Sequence, residues 1–456
     1  MADVEEARAF LAARPDMAFF EVIFTNLSGV PRGKRLRRHE LTAVYEQGRF
    51  LPGSILVCDI TGRDCEETGL VWEDGDADRV AWPAPGTLVP AQWLGADTAQ
   101  VIASLYELDG SPCDLDPRQV LRRVLDRFAA DGLTPVVACE LEYYLVDSGR
   151  TAAGGIELAG AGHAGERPTQ HGVYGLRELE DVSPFLRELW ACADAQGVPL
   201  EGAISEYAPG QLELTLKHGP DALRAADEAA MYKRIAKGVA PRHGCEATFM
   251  AKPFAHRAGS GLHLHVSVND EDGRNIFAGE NPAGAPPLRH AVGGLKATIG
   301  EAMAVFAPNA NSYRRFRANS YAPVAPTWGI NNRTVSLRVP AGPPASRHIE
   351  HRVAGADANP YLALAALLAG VHHGLTGAID PGPPVEGDGY AVAAETTERL
   401  PATWFAAVGA FEASAVLRDY LGERFVAMFA QVKRLEQDRF FEVVSPLDYD
   451  WYLKNA

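Results

Sequence analysis

The segment Gly259–Val268, GSGLHLHVSV, alternates polar and aliphatic side chains. In a β-strand, successive side chains point to opposite faces. His263, His265 and Ser267 would therefore share one face, and the aliphatic residues between them would share the other. The pattern predicts a strand that buries one face and presents metal-binding groups on the other. Taken alone, it is also typical of a half-buried edge strand whose histidines meet only solvent.

Similar alternation recurs in other segments, and together they carry carboxylates and arginines. These segments are 140–145, with Glu140 and Glu142 on one face; 211–216, with Gln211, Glu213 and Thr215 opposite three leucines and Glu206 just upstream; 333–339, with arginines at both ends; and 349–353, with Glu350 and Arg352 on one face. If such strands line one cavity, carboxylate, imidazole and guanidinium groups converge there. We therefore expect a site for a metal and an anionic ligand.

Composition limits the kinds of protein that can carry this site. The chain has 456 residues and a formal net charge of −16, which fits a globular enzyme and argues against nucleic acid or an anionic membrane as partner. The six cysteines lack CxxC spacing, so we expect reduced, mostly buried thiols. No targeting or membrane-spanning segment is recognisable, and we expect a cytoplasmic protein.

Local patterns give a coarse organisation. Strands are predicted at 19–26, 54–60 and 99–106, a boundary near 109–112, and an amphipathic helix after Asp116. Segments 150–168 and 379–389 are predicted surface loops, and 361–371 is predicted to be a core helix because it is too short to span a bilayer.

The candidate metal ligands are mainly hard oxygen donors with one imidazole, which suits Mg²⁺ or Mn²⁺ better than Zn²⁺. They are Glu140, Glu142, Glu206, Glu213, His263 and Glu350. Two such ions would clamp a nucleoside triphosphate, and arginines 315, 333, 338, 347 and 352 would bind phosphate or carboxylate. Any single Glu–Arg pair is equally explained as a salt bridge across a sheet. Walker, Rossmann and nucleophile-elbow motifs are absent from the sequence.

Nearly the whole chain resembles the glutamine synthetase superfamily. The motifs that carry the resemblance include 28–34 (SGVPRGK), 140–142 (ELE), 206–213 (EYAPGQLE), 259–263 (GSGLH), 311–315 (NSYRR), 332–333 (NR), 338–340 (RVP), 349–352 (IEHR) and 356–361 (ADANPY). Within it, the segments 311–316, 328–335 and 351–361 and the ending DWYLKNA resemble γ-glutamylputrescine and γ-glutamylpolyamine synthetases.

The resemblance implies a role for each matching residue. Glu142, Glu206 and Glu213 would hold one divalent ion, and Glu140, His263 and Glu350 a second. Arg315, Arg352 and the Gly259 backbone would bind glutamate, while Glu201, His265, Ser267, Arg333 and Arg338 would line the ATP pocket. Arg333, Glu350 and Tyr321 are the candidate catalytic residues. The implied reaction activates the γ-carboxylate of L-glutamate as γ-glutamyl phosphate, which a nitrogen nucleophile then attacks.

Two departures from the family pattern concern this nucleophile. Ammonia-using members carry an aspartate and a glutamate where this chain reads Leu51-Pro52-Gly53-Ser54 and Ser320-Tyr321-Ala322-Pro323. A pocket with Pro52 and Tyr321 lacks those charges but suits an alkylamine, since Tyr321 can act as a hydrogen-bond or cation–π partner. We therefore expect a primary amine, putrescine or another polyamine, to be the acceptor. A third departure, Ala258 where many members have Asn, concerns only glutamate binding.

The resemblance also implies an α+β fold: a β-grasp domain at 15–110 and a catalytic domain at 111–456, whose antiparallel half-barrel sheet has flanking helices. Members form dodecamers of two hexameric rings with shared active sites, so a homo-oligomer is expected. Other acceptors (ethanolamine, isopropylamine or an arylamine), an ammonia-using glutamine synthetase and a non-enzymatic structural relative are the alternatives. The last is disfavoured because every metal ligand and arginine is present.

Overall fold

The computed structural model describes residues 2–160 and 165–456, and its strands form two sheets. The strands are β1 (Phe19–Thr25), β2 (Pro31–Arg37), β3 (Arg49–Pro52), β4 (Asp78–Pro83), β5 (Val89–Pro90), β6 (Thr98–Tyr106), β7 (Thr134–Asp147), β8 (Leu200–Ser205), β9 (Gln211–Leu216), β10 (Cys245–Thr248), β11 (Leu262–Asn269), β12 (Trp328–Ile330), β13 (Leu337–Val339) and β14 (Ile349–His351).

The helices flank these sheets. They are α1 (Val4–Ala13), α2 (Leu41–Gln47), α3 (Pro117–Ala130), α4 (Leu176–Asp181), α5 (Ser183–Ala195), α6 (Ala222–Val239), α7 (Pro286–Thr298), α8 (Met303–Phe306), α9 (Pro360–Gly377), α10 (Gly389–Glu395), α11 (Trp404–Ala413), α12 (Ala415–Leu421), α13 (Glu423–Phe441) and α14 (Pro446–Tyr452). In the described part of the chain, no helix combines the length and apolarity that crossing a membrane requires.

The N-terminal sheet has the strand order β2-β1-β6-β4-β3, and β5 pairs with β6. The larger sheet has the order β12-β13-β14-β11-β7-β9-β8, with β10 paired to β7. It is antiparallel except at its edge, where β12 and β13 run parallel. The predicted α+β class, with a small N-terminal sheet and a larger half-barrel sheet, is confirmed. The exact domain limits, 15–110 and 111–456, stay a prediction.

The strand β11 shows the predicted separation of faces. Leu262, Leu264, Val266 and Val268 are all fully buried. Burying a side chain of this size stabilises the fold by about 1.5–3 kcal/mol. The apolar face therefore anchors the strand, and the alternating residues are left to face the site.

Helix α9 lies in the core, as predicted. It begins at Pro360, and the Asn359 side chain caps it by accepting a hydrogen bond from the Tyr361 N–H (3.1 Å). Helix α7 approaches it closely at Gly294, where an added Cβ would lie 2.2 Å from the carbonyl oxygen of Gly370. These small residues allow the two helix backbones to pack in near contact.

The predicted helix after Asp116 is also confirmed. The Asp116 carboxylate accepts hydrogen bonds from the Arg118 N–H (2.9 Å) and the Leu105 N–H (2.7 Å). One buried side chain thus caps α3 and ties it to the last strand of the N-terminal sheet.

The N-terminal sheet docks onto α13 through buried polar groups. The Glu436 carboxylate accepts hydrogen bonds from the Ser28 hydroxyl (2.9 Å) and the Ile60 N–H (2.8 Å). Arg439 forms an ion pair with the buried Asp59 (2.6 Å). These contacts join the beginning and the end of the chain.

Of the predicted strands, 54–60 is wrong, and 333–339 and 349–353 are too long, since only Ile349–His351 of the last segment is a strand. Segment 54–60 is not a strand: Gly53–Leu56 forms a 3-10 turn, and the Ser54 N–H is bound by the Asp76 side chain (3.1 Å). In 333–339 only Leu337–Val339 is a strand; the chain turns at Asn331, which has a left-handed φ of 48°, and Arg333 lies exposed before the strand.

The predicted loop 150–168 is irregular where it is described, but residues 161–164 lie outside the described residues. The predicted loop 379–389 is irregular until α10 begins at Gly389. The six cysteines are free and buried, as expected.

Candidate functional site

The candidate metal ligands lie in register across neighbouring strands of the larger sheet. His263 on β11 is opposite Glu140 on β7, and Glu142 on β7 is opposite Glu213 on β9. Two residues further along β11, on the same face, His265 is opposite Glu350 on β14. Because side chains of opposite residues project to the same face, these groups form one continuous polar row.

The first cluster consists of Glu142, Glu206 and Glu213. A carboxylate oxygen of each lies within 4.8 Å of the others. Glu142 and Glu213 come from paired strands, whereas Glu206 comes from the turn between β8 and β9. This is the group predicted for the first ion.

The second cluster is centred on Glu140. Its Oε1 lies 2.8 Å from His263 Nδ1, and its Oε2 lies 3.4 Å from His265 Nε2. Glu350 Oε1 is 3.9 Å from His263 Nδ1. The three predicted ligands of the second ion, Glu140, His263 and Glu350, are therefore neighbours, and His265 joins them although the sequence assigned it to the nucleotide.

Crowding shifts the pKa values of these carboxyl groups in opposite directions. Burial and the neighbouring Glu140 and Glu142 raise the pKa of Glu213 to about 11. Burial and then Glu142 also raise the pKa of Glu206. Burial opposes ionisation of Glu140, but hydrogen bonds from His263 and His265 outweigh it and lower the pKa of Glu140 well below its ordinary value. Its neighbours therefore disfavour the ionised form of Glu213, whereas the neighbours of Glu140 favour the ionised form of Glu140.

The donor set fits divalent ions. Carboxylate oxygens with an imidazole nitrogen are the ligands of Mg²⁺ and Mn²⁺. A dication beside Glu213 would favour its ionised form and remove the repulsion that raises its pKa. The residues present thus match the ions that the sequence predicts.

Arginines surround Glu350, which is almost fully buried. Arg338 Nη1 lies 2.7 Å from Glu350 Oε2, and Arg352 pairs with Glu350 Oε1. Burial opposes ionisation of Glu350. The neighbouring cationic side chains outweigh burial, with Arg352 contributing most, and together they lower the pKa of Glu350 to about 2. The carboxylate is thus held ionised between two guanidinium groups.

Arg315 has a different environment from the one expected. Its guanidinium is buried and donates hydrogen bonds to the carbonyl oxygens of Val353 (2.7 Å) and Arg352 (3.2 Å). Arg347 was also predicted to bind an anion. Its guanidinium donates a hydrogen bond to the carbonyl oxygen of Gly342 (3.1 Å), in the loop just before it.

A glycine loop packs tightly against this arginine. A Cβ on Gly259 would lie 2.7 Å from Arg315 Cγ, and one on Gly261 would lie 2.9 Å from both Arg315 Nη2 and His263 Nε2. The Gly261 N–H donates to Glu142 Oε2 (2.7 Å), and the Gln211 amide bridges Glu142 (3.4 Å) to the Gly259 carbonyl oxygen (3.0 Å). A candidate metal ligand, Glu142, and the predicted glutamate-binding loop are therefore hydrogen-bonded directly.

Tyr321 lies in a strained loop. Its φ is 58°, a conformation that costs a non-glycine residue of the order of 1–3 kcal/mol, and 59% of the side chain is exposed. The Ser320 hydroxyl donates to the Arg317 carbonyl oxygen (2.6 Å), and the Tyr390 hydroxyl donates to the Ala322 carbonyl oxygen (3.1 Å). Sequence reasoning missed the Tyr390 brace, because no local pattern connects two residues so far apart.

The remaining predicted residues are spread around the row. Ser267 is on β11 and Glu201 on β8, with the Glu201 side chain exposed. Arg333 is exposed in the turn before β13. Pro52 ends β3 in the N-terminal sheet, where it is opposite Asp78, so it belongs to a different sheet from the polar row.

Comparison with known proteins identifies the family of this chain. The family model of the glutamine synthetase catalytic domain matches residues 114–452. The chain belongs to the glutamine synthetase family.

This chain is similar over nearly its full length to family members that are named for different amine substrates. The chain is 38% identical over 452 residues to "Gamma-glutamylputrescine synthetase PuuA" of Escherichia coli K12, covering 99% of this chain and 95% of that protein. It is 33% identical over 455 residues to "Gamma-glutamylethanolamide synthetase GlnA4" of Streptomyces coelicolor, covering 99% and 95%. A solved structure, "GmaS/ADP complex-Conformation 1", superposes with a TM-score of 0.83 at 29% identity and covers 99% of this chain and 100% of that one.

Proposed function

We propose that this glutamine synthetase family member is an ATP-dependent ligase that joins the γ-carboxylate of L-glutamate to a primary amine. The intermediate in this proposal is γ-glutamyl phosphate, and putrescine or another polyamine is the favoured acceptor. The observation that carries the proposal is the polar row of Glu140, Glu142, Glu213, His263 and Glu350, which lies beside paired arginines.

In this proposal the row holds two divalent ions, which when bound neutralise the charge of the triphosphate. Glu142, Glu206 and Glu213 would hold one ion, and Glu140, His263 and Glu350 the other. The protein positions these ligands rigidly, because most of them sit on paired strands whose opposite faces are buried. Such preorganisation is the main way a protein accelerates phosphoryl transfer.

Arginines supply the remaining positive charge. We assign Arg315 and Arg352 to the glutamate carboxylates, beside Gly259, and Arg333 and Arg338 to the phosphates. Glu201, His265 and Ser267 would line the nucleotide pocket. The similar GmaS structure is a complex with ADP, which supports a nucleotide in a site of this type.

The acceptor is proposed from Tyr321 and Pro52. Tyr321 presents an exposed ring in place of the carboxylate of ammonia-using members, and an aromatic face attracts an alkylammonium group without a formal charge. The similarity to a putrescine-named relative favours a polyamine, whereas the ethanolamide-named relative keeps ethanolamine as the second candidate.

Phosphate release from ATP and glutamate, measured with magnesium against ammonium, putrescine, spermidine, ethanolamine, isopropylamine and aniline, tests this function. We expect the highest kcat/KM with putrescine or spermidine. Ammonium as the best acceptor would refute the interpretation of Tyr321, and no turnover with any amine would favour a non-enzymatic relative. Glu213→Ala should abolish turnover with every acceptor.

We also propose a cytoplasmic homo-oligomer, a dodecamer of two hexameric rings, in which the partner subunit's Pro52 completes each site. Light scattering should give a mass twelve times that of the chain. Mixing an inactive Glu213→Ala protein with a Pro52→Arg protein, whose added positive charge should repel the amine, followed by subunit exchange, should restore part of the activity. Recovery of none would exclude shared sites.

A further inference from the structure

The loop at 317–324, which carries Tyr321 and is called the acceptor loop below, is held in a strained conformation. Asn319 and Tyr321 both have left-handed φ angles, 60° and 58°, and non-glycine residues keep such angles only where surrounding contacts enforce them. The Ser320 hydroxyl donates back to the carbonyl oxygen of Arg317 (2.6 Å). Because most of the Tyr321 side chain is exposed, the direction of its ring depends on the backbone of this loop.

A tyrosine at the start of α10 contacts the acceptor loop at the next residue. The Tyr390 hydroxyl donates a hydrogen bond to the carbonyl oxygen of Ala322 (3.1 Å). Ala322 directly follows Tyr321 and is buried. The hydrogen bond therefore acts on the backbone immediately beside a strained residue.

The same hydroxyl is close to the arginines assigned to glutamate. Burial raises the pKa of Tyr390, and Ser320 and then Arg352 and Arg315 oppose this rise. Charged neighbours shift a pKa only when they are near the titrating group. Tyr390 is therefore a neighbour both of the acceptor loop and of the arginines that would bind the other substrate.

The helix end that carries Tyr390 is itself fixed. The Asp388 carboxylate caps α10 by accepting a hydrogen bond from the Tyr390 N–H (2.9 Å). The Gly389 N–H donates to the Thr334 hydroxyl oxygen (2.8 Å). An added Cβ on Gly389 would lie 2.6 Å from the Thr334 carbonyl oxygen, so the two backbones are in close contact.

The turn on the other side of this contact carries Arg333. Asn332, the residue before Arg333, donates its side-chain amide to the carbonyl oxygen of Gly387 (2.8 Å). Thr334, the residue after it, forms the contacts just described. The start of α10 therefore connects the turn of an arginine assigned to the phosphates with the acceptor loop.

We propose that Tyr390 is a positioning residue for the amine acceptor: its hydroxyl holds the acceptor loop so that the Tyr321 ring faces the amine. This inference rests on the proposed ligase function and goes beyond it, because it assigns acceptor recognition partly to a residue that acts through the loop backbone. The contacts at Asn332 and Thr334 give Tyr390 a fixed base, so its hydrogen bond can hold Tyr321 in its strained conformation.

Tyr390→Phe tests this role, because it removes the hydroxyl and keeps the ring. Loss of one hydrogen bond to the loop should raise the KM for putrescine about two- to tenfold, whereas the KM values for glutamate and ATP should change less than about twofold. Tyr106→Phe is the matched control, since Tyr106 is a partly exposed tyrosine at the end of β6 in the N-terminal sheet. Equal increases in all three KM values with Tyr390→Phe would overturn the proposal.

A double substitution separates positioning from direct contact with the amine. Tyr321→Leu lacks the ring that Tyr390 positions, so adding Tyr390→Phe to it should change the KM for putrescine less than about twofold. If the two effects multiply, Tyr390 acts independently of Tyr321 and the proposal is wrong.

Hydrogen–deuterium exchange of the full-length protein measures the loop without any turnover. In Tyr390→Phe the amides of 317–324 should exchange several-fold faster than in the wild type, while those of β11 should be unchanged. Unchanged exchange in the acceptor loop would also overturn the proposal. Ammonium as the best acceptor would instead overturn the proposed function, and the exchange result would still decide whether Tyr390 holds the loop.

Discussion

Binding of Mg²⁺ to the metal-free protein should release a proton from Glu213. Burial and the adjacent Glu140 and Glu142 raise the pKa of Glu213 to about 11, so at pH 7.5 this carboxyl group is protonated before the ion binds. A carboxyl group must be ionised to act as a metal ligand. Each site should therefore release about one proton from this group.

The same linkage sets the sign of the pH dependence. Protons compete with the ion at every pH below the pKa of Glu213, so the affinity for Mg²⁺ should rise by roughly tenfold per pH unit between pH 6.5 and 8.5. Stability of the metal-free fold should change in the opposite direction. The native state keeps a proton that the unfolded chain, with an ordinary glutamate pKa of roughly 4.3, has lost. Stability should therefore fall as pH rises from that value towards 11.

Calorimetric titration with MgCl₂ in buffers of different ionisation enthalpy measures the number of protons released. Glu213→Gln, which mimics the protonated side chain, should lose high-affinity binding. Glu246→Gln is the matched control, because Glu246 is a partly exposed glutamate on β10 that pairs with Arg150 (3.0 Å) and, among the described residues, with no candidate metal ligand. Tight binding without proton release at pH 7.5, or an affinity independent of pH, would show that the carboxyl groups are not coupled as the structure indicates.

Other substitutions test single contacts. Gly261→Ala should lower kcat/KM at least tenfold, because its Cβ would lie 2.9 Å from His263 Nε2; a steady-state assay with normal activity would contradict the tight packing. Asp227→Asn should lower the free energy of unfolding by about 2–4 kcal/mol in urea denaturation, because Asp227 forms a buried bidentate pair with Arg118 (2.9 and 3.0 Å); a loss below about 0.5 kcal/mol would refute this. Tyr321→Glu should lower the KM for ammonium and raise that for putrescine, and unchanged acceptor preference in the phosphate-release assay would remove Tyr321 from the pocket.

The faces of the long strands were predictable from the sequence. Alternation in β11 places His263 and His265 together because the side-chain period of an extended strand is fixed by its backbone. The same reasoning correctly grouped Glu140 with Glu142. In each case the buried aliphatic partners decide the face, and those partners are adjacent in the sequence.

The contacts between strands could not be predicted in this way. His265 lies opposite Glu350 and so approaches the candidate metal ligands. This contact depends on the register of β11 and β14, which are far apart in the chain. Arg333 was expected at the start of a strand. Instead, the chain turns after the left-handed residue Asn331, and the strand begins only at Leu337. A short strand beside a turn carries too little periodicity to show where it begins.

The hydrogen bond between the Gly261 N–H and the Glu142 carboxylate has a thermodynamic consequence. The Glu142 carboxylate is a candidate ion ligand, and it also accepts a hydrogen bond from the loop that is expected to bind the amino acid. Anything that changes the charge on Glu142 must also change the preferred position of the loop, and coupling between two sites is reciprocal. Ion and amino acid should therefore bind cooperatively, so that the apparent affinity for either one depends on how much of the other is present.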